Sequence, residues 1–359
     1  MKIDIDSCDR LTVNGVIVLL IFMPLAFGAV HPWAFSLAEL MVFSLAGISA
    51  ARTLEKGCFV FALPVAWPFM GVLLLLIMAQ MVPMPQRALE FFSPTTVLIG
   101  RAAANSSTTG GFNTLSLYPR ATVGAFLKVT AFVALSAIVT NVFRTERQLG
   151  KLALAIMCVG FAVALVGLLQ QRAGAEGIYG FWRSRYWKVG QGSFFGTFVN
   201  KNHFAGYMEM AIPMTVALVL RENTHRRSRG LLRLLVDSDS RIFRSFLALF
   251  CASIMLWAFL LSGSAGGVAS LAVASFAVLF CLSMQRTSGK SRGLLLMCFL
   301  LVCVVILVGA SRLSPFLLSM VDSARLNVWR DSLRTALEFR WFGAGLGAFR
   351  QVFPVYQTL

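Results

Sequence analysis

The chain has 359 residues, 58% of them apolar and 13% charged, with a formal net charge of +17 and a mean hydropathy of +0.77. A soluble domain carries about 25% charged residues, so this composition excludes a fold bounded only by water and makes lipid part of the solvent. Seven cysteines and three histidines show no C-x-x-C pair and no ligand-like spacing, which argues against disulfide and metal roles for them.

Nine apolar runs are long enough to cross about 30 Å of hydrocarbon. In chain order they cover 12–30, 34–51, 59–79, 121–142, 149–169, 203–220, 245–262, 265–284 and 293–310. The first contains Pro24 and Gly28 and is soon followed by another span. It reads as a retained helix, not a removed signal peptide. The runs are continuously apolar instead of alternating, which excludes a transmembrane β-barrel. The expected fold is all-α: a polytopic transmembrane helical bundle of about nine spans, forming one integral membrane domain over 1–359. Its outer loops are expected to contain short amphipathic helices.

Charge orients the spans. The linkers 52–58, 143–151, 221–244 and 285–292 are short and basic, and simple alternation puts all four on one side. Positive charge marks the cytoplasmic side, so the N-terminus is expected there. Segments 80–120, 170–202 and 311–359 are then expected outside. Two of them are also basic, with Arg183, Arg185 and Lys201 in the second and Arg325, Arg330 and Arg334 in the third. Long translocated loops tolerate such charge. The alternative is an anionic ligand at the outer surface, because arginine grips phosphate through paired charge-assisted hydrogen bonds. Nucleic acid is excluded as a partner, since the basic residues are split across both membrane faces.

The segment Gly196–Tyr207, GTFVNKNHFAGY, leads from an outer loop into the sixth span. Asn202, Gly206, Glu209 and Pro213 recur at helical spacing and share one face. A charge at the bilayer centre costs about 2.5–3.5 kcal/mol on insertion scales, so Glu209 is expected to face the bundle interior or a wet cavity. Gly206 is expected to allow close helix approach. Glu39 and Lys128 are further charges within spans, Lys128 being near enough to an end to snorkel.

Further along, a helix drawn from 325 to 338 places Asn327, Arg330, Asp331, Arg334 and Glu338 on a polar face. Val328, Trp329, Leu333 and Ala336 fall on the apolar one. Arg325 falls on the apolar face, about a turn from Trp329, and so calls for a buried anionic partner or a frayed helix start. The run Gly343, Gly345, Gly347 lacks the strand–turn–helix context of a dinucleotide fingerprint. A flexible turn back to the membrane is expected there.

Three segments carry a resemblance. They are Pro24–Ala34 (PLAFGAVHPWA), Gly196–Tyr207, and Arg325–Arg330 followed by Trp341–Phe349 (WFGAGLGAF). In this order, and on one side of the membrane, they resemble the bacterial O-antigen ligase and Wzy-type polymerase group, over essentially the whole chain. The resemblance implies a GT-C-like bundle in the bacterial inner membrane with long periplasmic loops. It implies transfer of a polyprenyl-pyrophosphate-linked glycan to a hydroxyl on a lipid or glycan acceptor, with membrane lipids and other polysaccharide-assembly proteins as partners. On this reading Arg325 is the main pyrophosphate contact, with Arg183, Arg185 and Lys201 secondary. Asn200, Asn202, His203 and Trp329 line the substrate site, and Glu209 is an orienter or base. Fixed cations can stabilise a pyrophosphate leaving group, so a mechanism without metal or cofactor is expected. Two departures from the family pattern stand out. Ala265 occupies a position where relatives carry Arg, and the chain is expected to lack the family's usual C-terminal spans and their histidine motif. A non-catalytic subunit of an exopolysaccharide assembly complex, or a lipid-linked glycan transporter, are the alternatives.

Overall fold

The computed structural model describes residues 5–56, 66–104, 114–183, 194–224, 240–284 and 323–358. Among them every extended regular element is helical. The helices are α1 (Ile5–Leu25), α2 (Pro32–Lys56), α3 (Trp67–Met81), α4 (Gln86–Phe92), α5 (Pro94–Ala104), α6 (Pro119–Val142), α7 (Glu146–Arg172), α8 (Lys201–Thr224), α9 (Ser240–Leu261), α10 (Ala265–Met284), α11 (Ser323–Glu338) and α12 (Phe349–Tyr356). Proline opens α2, α5 and α6, where its missing N–H costs nothing. Thr145 starts α7 with a capping box. Its hydroxyl accepts from the Gln148 N–H, and the Gln148 side chain accepts from the Thr145 N–H at 3.0 Å.

Among the described residues four helices are long and apolar enough to cross a membrane: Pro32–Glu55 in α2, α6, α7, and Phe243–Leu261 in α9. The expected first span is shifted. Its helix starts at Ile5 and stops at Leu25, ahead of a left-handed turn at Phe27–Ala29. The expected third span is helical from Trp67; residues 57–65 and the expected span 293–310 lie outside the described residues.

The contacts divide the chain into two compact units. One comprises Met1–Asp9, Val42–Val142 and Leu317–Leu359; the other comprises Arg10–Met41 and Phe143–Phe316.

In the second unit, α7, α8 and α9 pack against each other and α10 packs on α8. Phe204, Met208, Met255, Val163 and Ala164 have no exposed surface there. Small residues set the spacing. A Cβ at Gly160 would stand 2.6 Å from the Met255 methyl and 3.3 Å from Ala211 Cβ. Backbones this close are what small residues permit between apolar helices.

In the first unit, α3 packs on α6, α4 on α5, and α11 on α12. Gln80, at the end of α3, is only 5% exposed and joins several strands of chain. Its Nε2 donates to the Phe342 carbonyl at 2.6 Å, its Oε1 accepts from the Leu346 N–H at 3.0 Å, and its own carbonyl accepts from Ser116 N–H at 2.9 Å. The Gly343–Gly347 run is therefore not the flexible turn expected from sequence. All three glycines have positive φ (70°, 102° and 86°), and Leu117 N–H donates to Ala344 O at 3.0 Å. A Cβ at Gly345 would collide with Ser116, and one at Gly347 would lie 2.9 Å from the Ala121 carbonyl oxygen. These glycines serve close backbone packing.

The expected polar face of α11 holds for Arg330, Arg334 and Glu338, which are exposed, but not for Asp331. Asp331, assigned to the polar face, is 1% exposed and accepts from the N–H and hydroxyl of Thr358, each at 3.0 Å. Thr335 and Phe339 are buried on the same side, whereas Trp329, Leu333 and Leu337 are 57%, 63% and 62% exposed. The hydrogen bonds at Asp331 outweigh the hydropathy pattern, because a buried carboxylate must be satisfied.

Candidate functional site

Two of the three segments singled out in the sequence meet in the second unit. The chain enters α8 through a tight turn in which Phe195 and Phe198 exchange backbone hydrogen bonds at 3.3 and 3.1 Å. Gly196 sits at its corner with φ 58°, and a Cβ there would lie 2.8 Å from the Val163 carbonyl oxygen. The Phe195 and Phe198 rings pack on Phe204, at 4.6 and 6.2 Å between centroids. This anchors the turn to the first buried residue of α8.

The same turn finishes α1. A helix end leaves its last carbonyls without backbone donors. Thr197 Oγ1 donates to the Pro24 carbonyl at 2.6 Å, and Tyr179 OH donates to the Leu25 carbonyl at 2.6 Å. Behind them Phe27, Gly28 and Ala29 run at φ 58°, 64° and 52°, a left-handed stretch that only surrounding contacts can hold. A Cβ at Gly28 would stand 2.6 Å from the Phe198 ring. Phe27, His31, Tyr179 and Trp182 gather as edge-to-face and tilted rings 5.1–6.0 Å apart. Gln170, in the amide orientation that satisfies both its ends, donates to Gly196 O at 2.9 Å and accepts from Tyr179 N–H at 2.6 Å. Burial pushes the Tyr179 phenol above its ordinary value, so it remains a donor.

At the start of α8, Asn200 is the cap: its Oδ1 accepts from Asn202 N–H at 2.8 Å. Ser264 caps α10 in the same way, accepting from Gly267 N–H at 3.2 Å, and its hydroxyl donates to Asn202 Oδ1 at 2.9 Å. Two helix N-termini are thus tied side by side. Each carries a partial positive charge of roughly half a proton from its aligned peptide dipoles. Lys201 adds a full charge: its Nζ lies against the turn at Gly263, 3.9 Å from where a Cβ would stand. A cation at a helix N-terminus opposes the dipole, by about 0.3–1 kcal/mol. Such an arrangement favours an anion.

Deeper along the same seam, Ser270 donates to Glu209 Oε1 at 2.9 Å, and Gly267 lies between, within 2.7 Å of Ala205 Cβ if given a Cβ of its own. Glu209 is half-buried and faces α10, as expected for a carboxylate turned into the bundle. Gly206 is not the point of close approach: a Cβ there meets open space. Gly267, across the seam, has that role.

The sequence candidates therefore fall into groups. Asn200, Lys201, Asn202 and Glu209 share the α8–α10 seam; His203 is exposed beside them on α8. Arg183 is exposed and ion-paired with Glu176, a surface pair that costs little to exchange. Arg185 lies outside the described residues, and Arg325 lies in α11 with its side chain outside them. Trp329 is exposed in the other unit. Ser264, Ser270, Gly267, Gln170 and Thr197 were missed. The i, i+3, i+6 spacing of Ser264, Gly267 and Ser270 at the start of an apolar run was the available signal. Among the described residues no three His, Cys, Asp or Glu side chains gather as a metal site would need.

Protein covers only 17–39% of the apolar stretches of the four long helices. Phe132, Phe246, Phe250 and Trp257 are more than half exposed on them. Apolar helical surface of this extent suits lipid, and with the polar seam turned inward it defines an all-α helical membrane protein. Comparison with family models, with curated proteins and with solved structures found no match for this chain.

Proposed function

We propose that the chain transfers a glycan from a polyprenyl pyrophosphate carrier to an acceptor hydroxyl, as an O-antigen ligase or polysaccharide polymerase. It does so as a nine-span, GT-C-like bundle in the bacterial inner membrane, with its N-terminus cytoplasmic and its long loops periplasmic. The observation that supports this reading best is the pair of helix N-termini, α8 and α10, tied by Ser264 and Asn202 and flanked by Lys201. In the transfer the bond between the sugar and the pyrophosphate oxygen breaks, the acceptor oxygen bonds to the sugar, and the acceptor hydroxyl's proton passes to the released pyrophosphate. Negative charge grows on the leaving pyrophosphate, where fixed donors and cations act most strongly. Lys201 and the positive ends of the two helix dipoles meet that charge; the resemblance alone puts Arg325 forward as a pyrophosphate contact. Glu209 lies about 12 Å further along α8, at 1.5 Å per residue. It positions the seam through Ser270. The packing of Thr197 and Phe198 on the Pro24–Gly28 turn supports the reading from a second side, since segments some 170 residues apart in sequence form one structure.

The test is an in vitro assay of the purified chain with a lipid-linked glycan donor. Lys201→Ala and Arg325→Ala should each lower product by about 10²-fold, the usual cost of removing one transition-state charge contact. Product unchanged at equal protein level would overturn the assignment. A second reading, a non-catalytic subunit, is favoured by Ala265, which stands at the first position of α10 where the resemblance calls for Arg. It predicts no product from the pure chain and restored synthesis when its assembly partners are added.

A further inference from the structure

The opposite end of the second unit carries a separate cleft. Helices α7 and α9 begin there and α8 ends there, so this end lies a full helix length from Lys201. The 27 residues of α7 correspond to about 40 Å. The cleft has a volume of about 450 Å³, within the range of small-molecule sites. Its rim carries Arg147, Lys151 and Arg244, together with one carboxylate, Glu146. Its inner wall is apolar, formed by Leu154, Met157 and Leu218.

The order of these residues along α7 is informative. Arg147, Lys151 and Leu154 stand at i, i+4 and i+7, on one helical stripe. Charge occupies the first turns and apolar surface follows toward the helix middle. Arg244 comes from the early turns of α9 and meets the stripe from the other side. Below the rim, Met157 and Ala248 are buried with Cys251, so the cleft has a packed floor. An occupant must therefore be an amphiphile, with an anionic head at the helix starts and an apolar chain running along the helices. Water-soluble anions match only the rim.

We infer that this cleft binds one anionic glycerophospholipid, its phosphate held by Arg147, Lys151 and Arg244 and an acyl chain laid against Leu154, Met157 and Leu218. The inference rests on α7 and α9 crossing a membrane, and not on the proposed transfer reaction. Basic pockets between transmembrane helices hold lipid head groups through the same combination of charge and apolar wall, and arginine's planar fork suits a phosphodiester. The lipid would sit between the first turns of α7 and α9, against Leu218 of α8.

Native mass spectrometry of the full chain in detergent tests this directly. The probes are dioleoyl phosphatidylglycerol and dioleoyl phosphatidylcholine, which differ in head-group charge and share their chains. Wild type should retain the phosphatidylglycerol and release the phosphatidylcholine. The Arg147→Gln, Lys151→Gln double variant should bind phosphatidylglycerol about 30-fold more weakly, as expected for two cations near a lipid phosphate. Both side chains are exposed, so the variant should keep the elution profile of wild type. Arg172→Gln, an equal kind of charge loss at the far end of α7, should leave retention unchanged. Equal retention of both lipids by wild type, or undiminished phosphatidylglycerol on the double variant, would overturn the inference. So would displacement of the lipid by inorganic phosphate alone, because the apolar wall would then contribute nothing.

Discussion

At the scale of single residues, the turn after α1 holds its shape through side chains supplied by distant loops. Tyr179 OH caps the Leu25 carbonyl, and its phenol is pushed above the ordinary 10.0 by burial. The folded state therefore holds this proton more tightly than the unfolded chain does. The bond's contribution is whole below about pH 10 and is lost as pH rises through the raised folded value. Tyr179→Phe should cost about 0.5–1.5 kcal/mol at neutral pH, the worth of one hydrogen bond, and should flatten the alkaline fall. Thermal melts near neutrality and at about pH 11 check both effects. Gly28 is the second such residue. Gly28→Ala places a Cβ 2.6 Å from Phe198 at φ 64°, and should lower stability by about 1–3 kcal/mol. A melting temperature equal to wild type would show that the turn can rearrange around Phe198.

At the scale of elements, the α8–α10 seam separates two glycines that look alike in sequence. Gly267→Ala forces a Cβ to within 2.7 Å of Ala205 and 3.1 Å of Glu209 Oε1. The helices must part, at a cost of about 1–3 kcal/mol. Gly206→Ala meets open space, and should be neutral or stabilising by up to about 1 kcal/mol through helix propensity. Measuring both melts in one detergent gives the contrast; equal effects would contradict the seam as described. The motif glycines were read from sequence as close-approach and flexible positions. That reading failed at Gly206 and at Gly343–Gly347 for one reason. A glycine's role depends on what lies opposite its missing Cβ, and the opposite element is a tertiary fact. Asp331 in α11 is a similar case, since its partner Thr358 lies 27 residues away.

At the scale of the whole molecule, the expected alternation of spans puts the two ends of α7 on opposite sides of the membrane. Thr145 precedes the helix and Ala173 follows it, both exposed. In a background without the native cysteines, Ala173→Cys should react with a membrane-impermeant maleimide from outside intact cells. Thr145→Cys should react only after the cells are opened. Labelling of both from one side would overturn the topology, and with it the periplasmic placement of the α8–α10 seam. The outcome also places the lipid cleft, which lies at the Thr145 end.

The sequence by itself determined the solvent and the secondary structure: a chain with 58% apolar and 13% charged residues, written in long apolar runs, has to be helical in lipid. It also marked the start of α8 and the inward carboxylate at Glu209, because span length, charge and helical period are properties of one segment at a time. Only the tertiary structure decided the rest. Ser264 and Ser270 became partners of Asn202 and Glu209, Thr197 capped a helix end 173 residues earlier, and Asp331 turned inward beneath an exposed Trp329. Each depends on which helices meet and how each is rotated about its axis, and hydropathy constrains that rotation weakly when both faces of a helix are apolar.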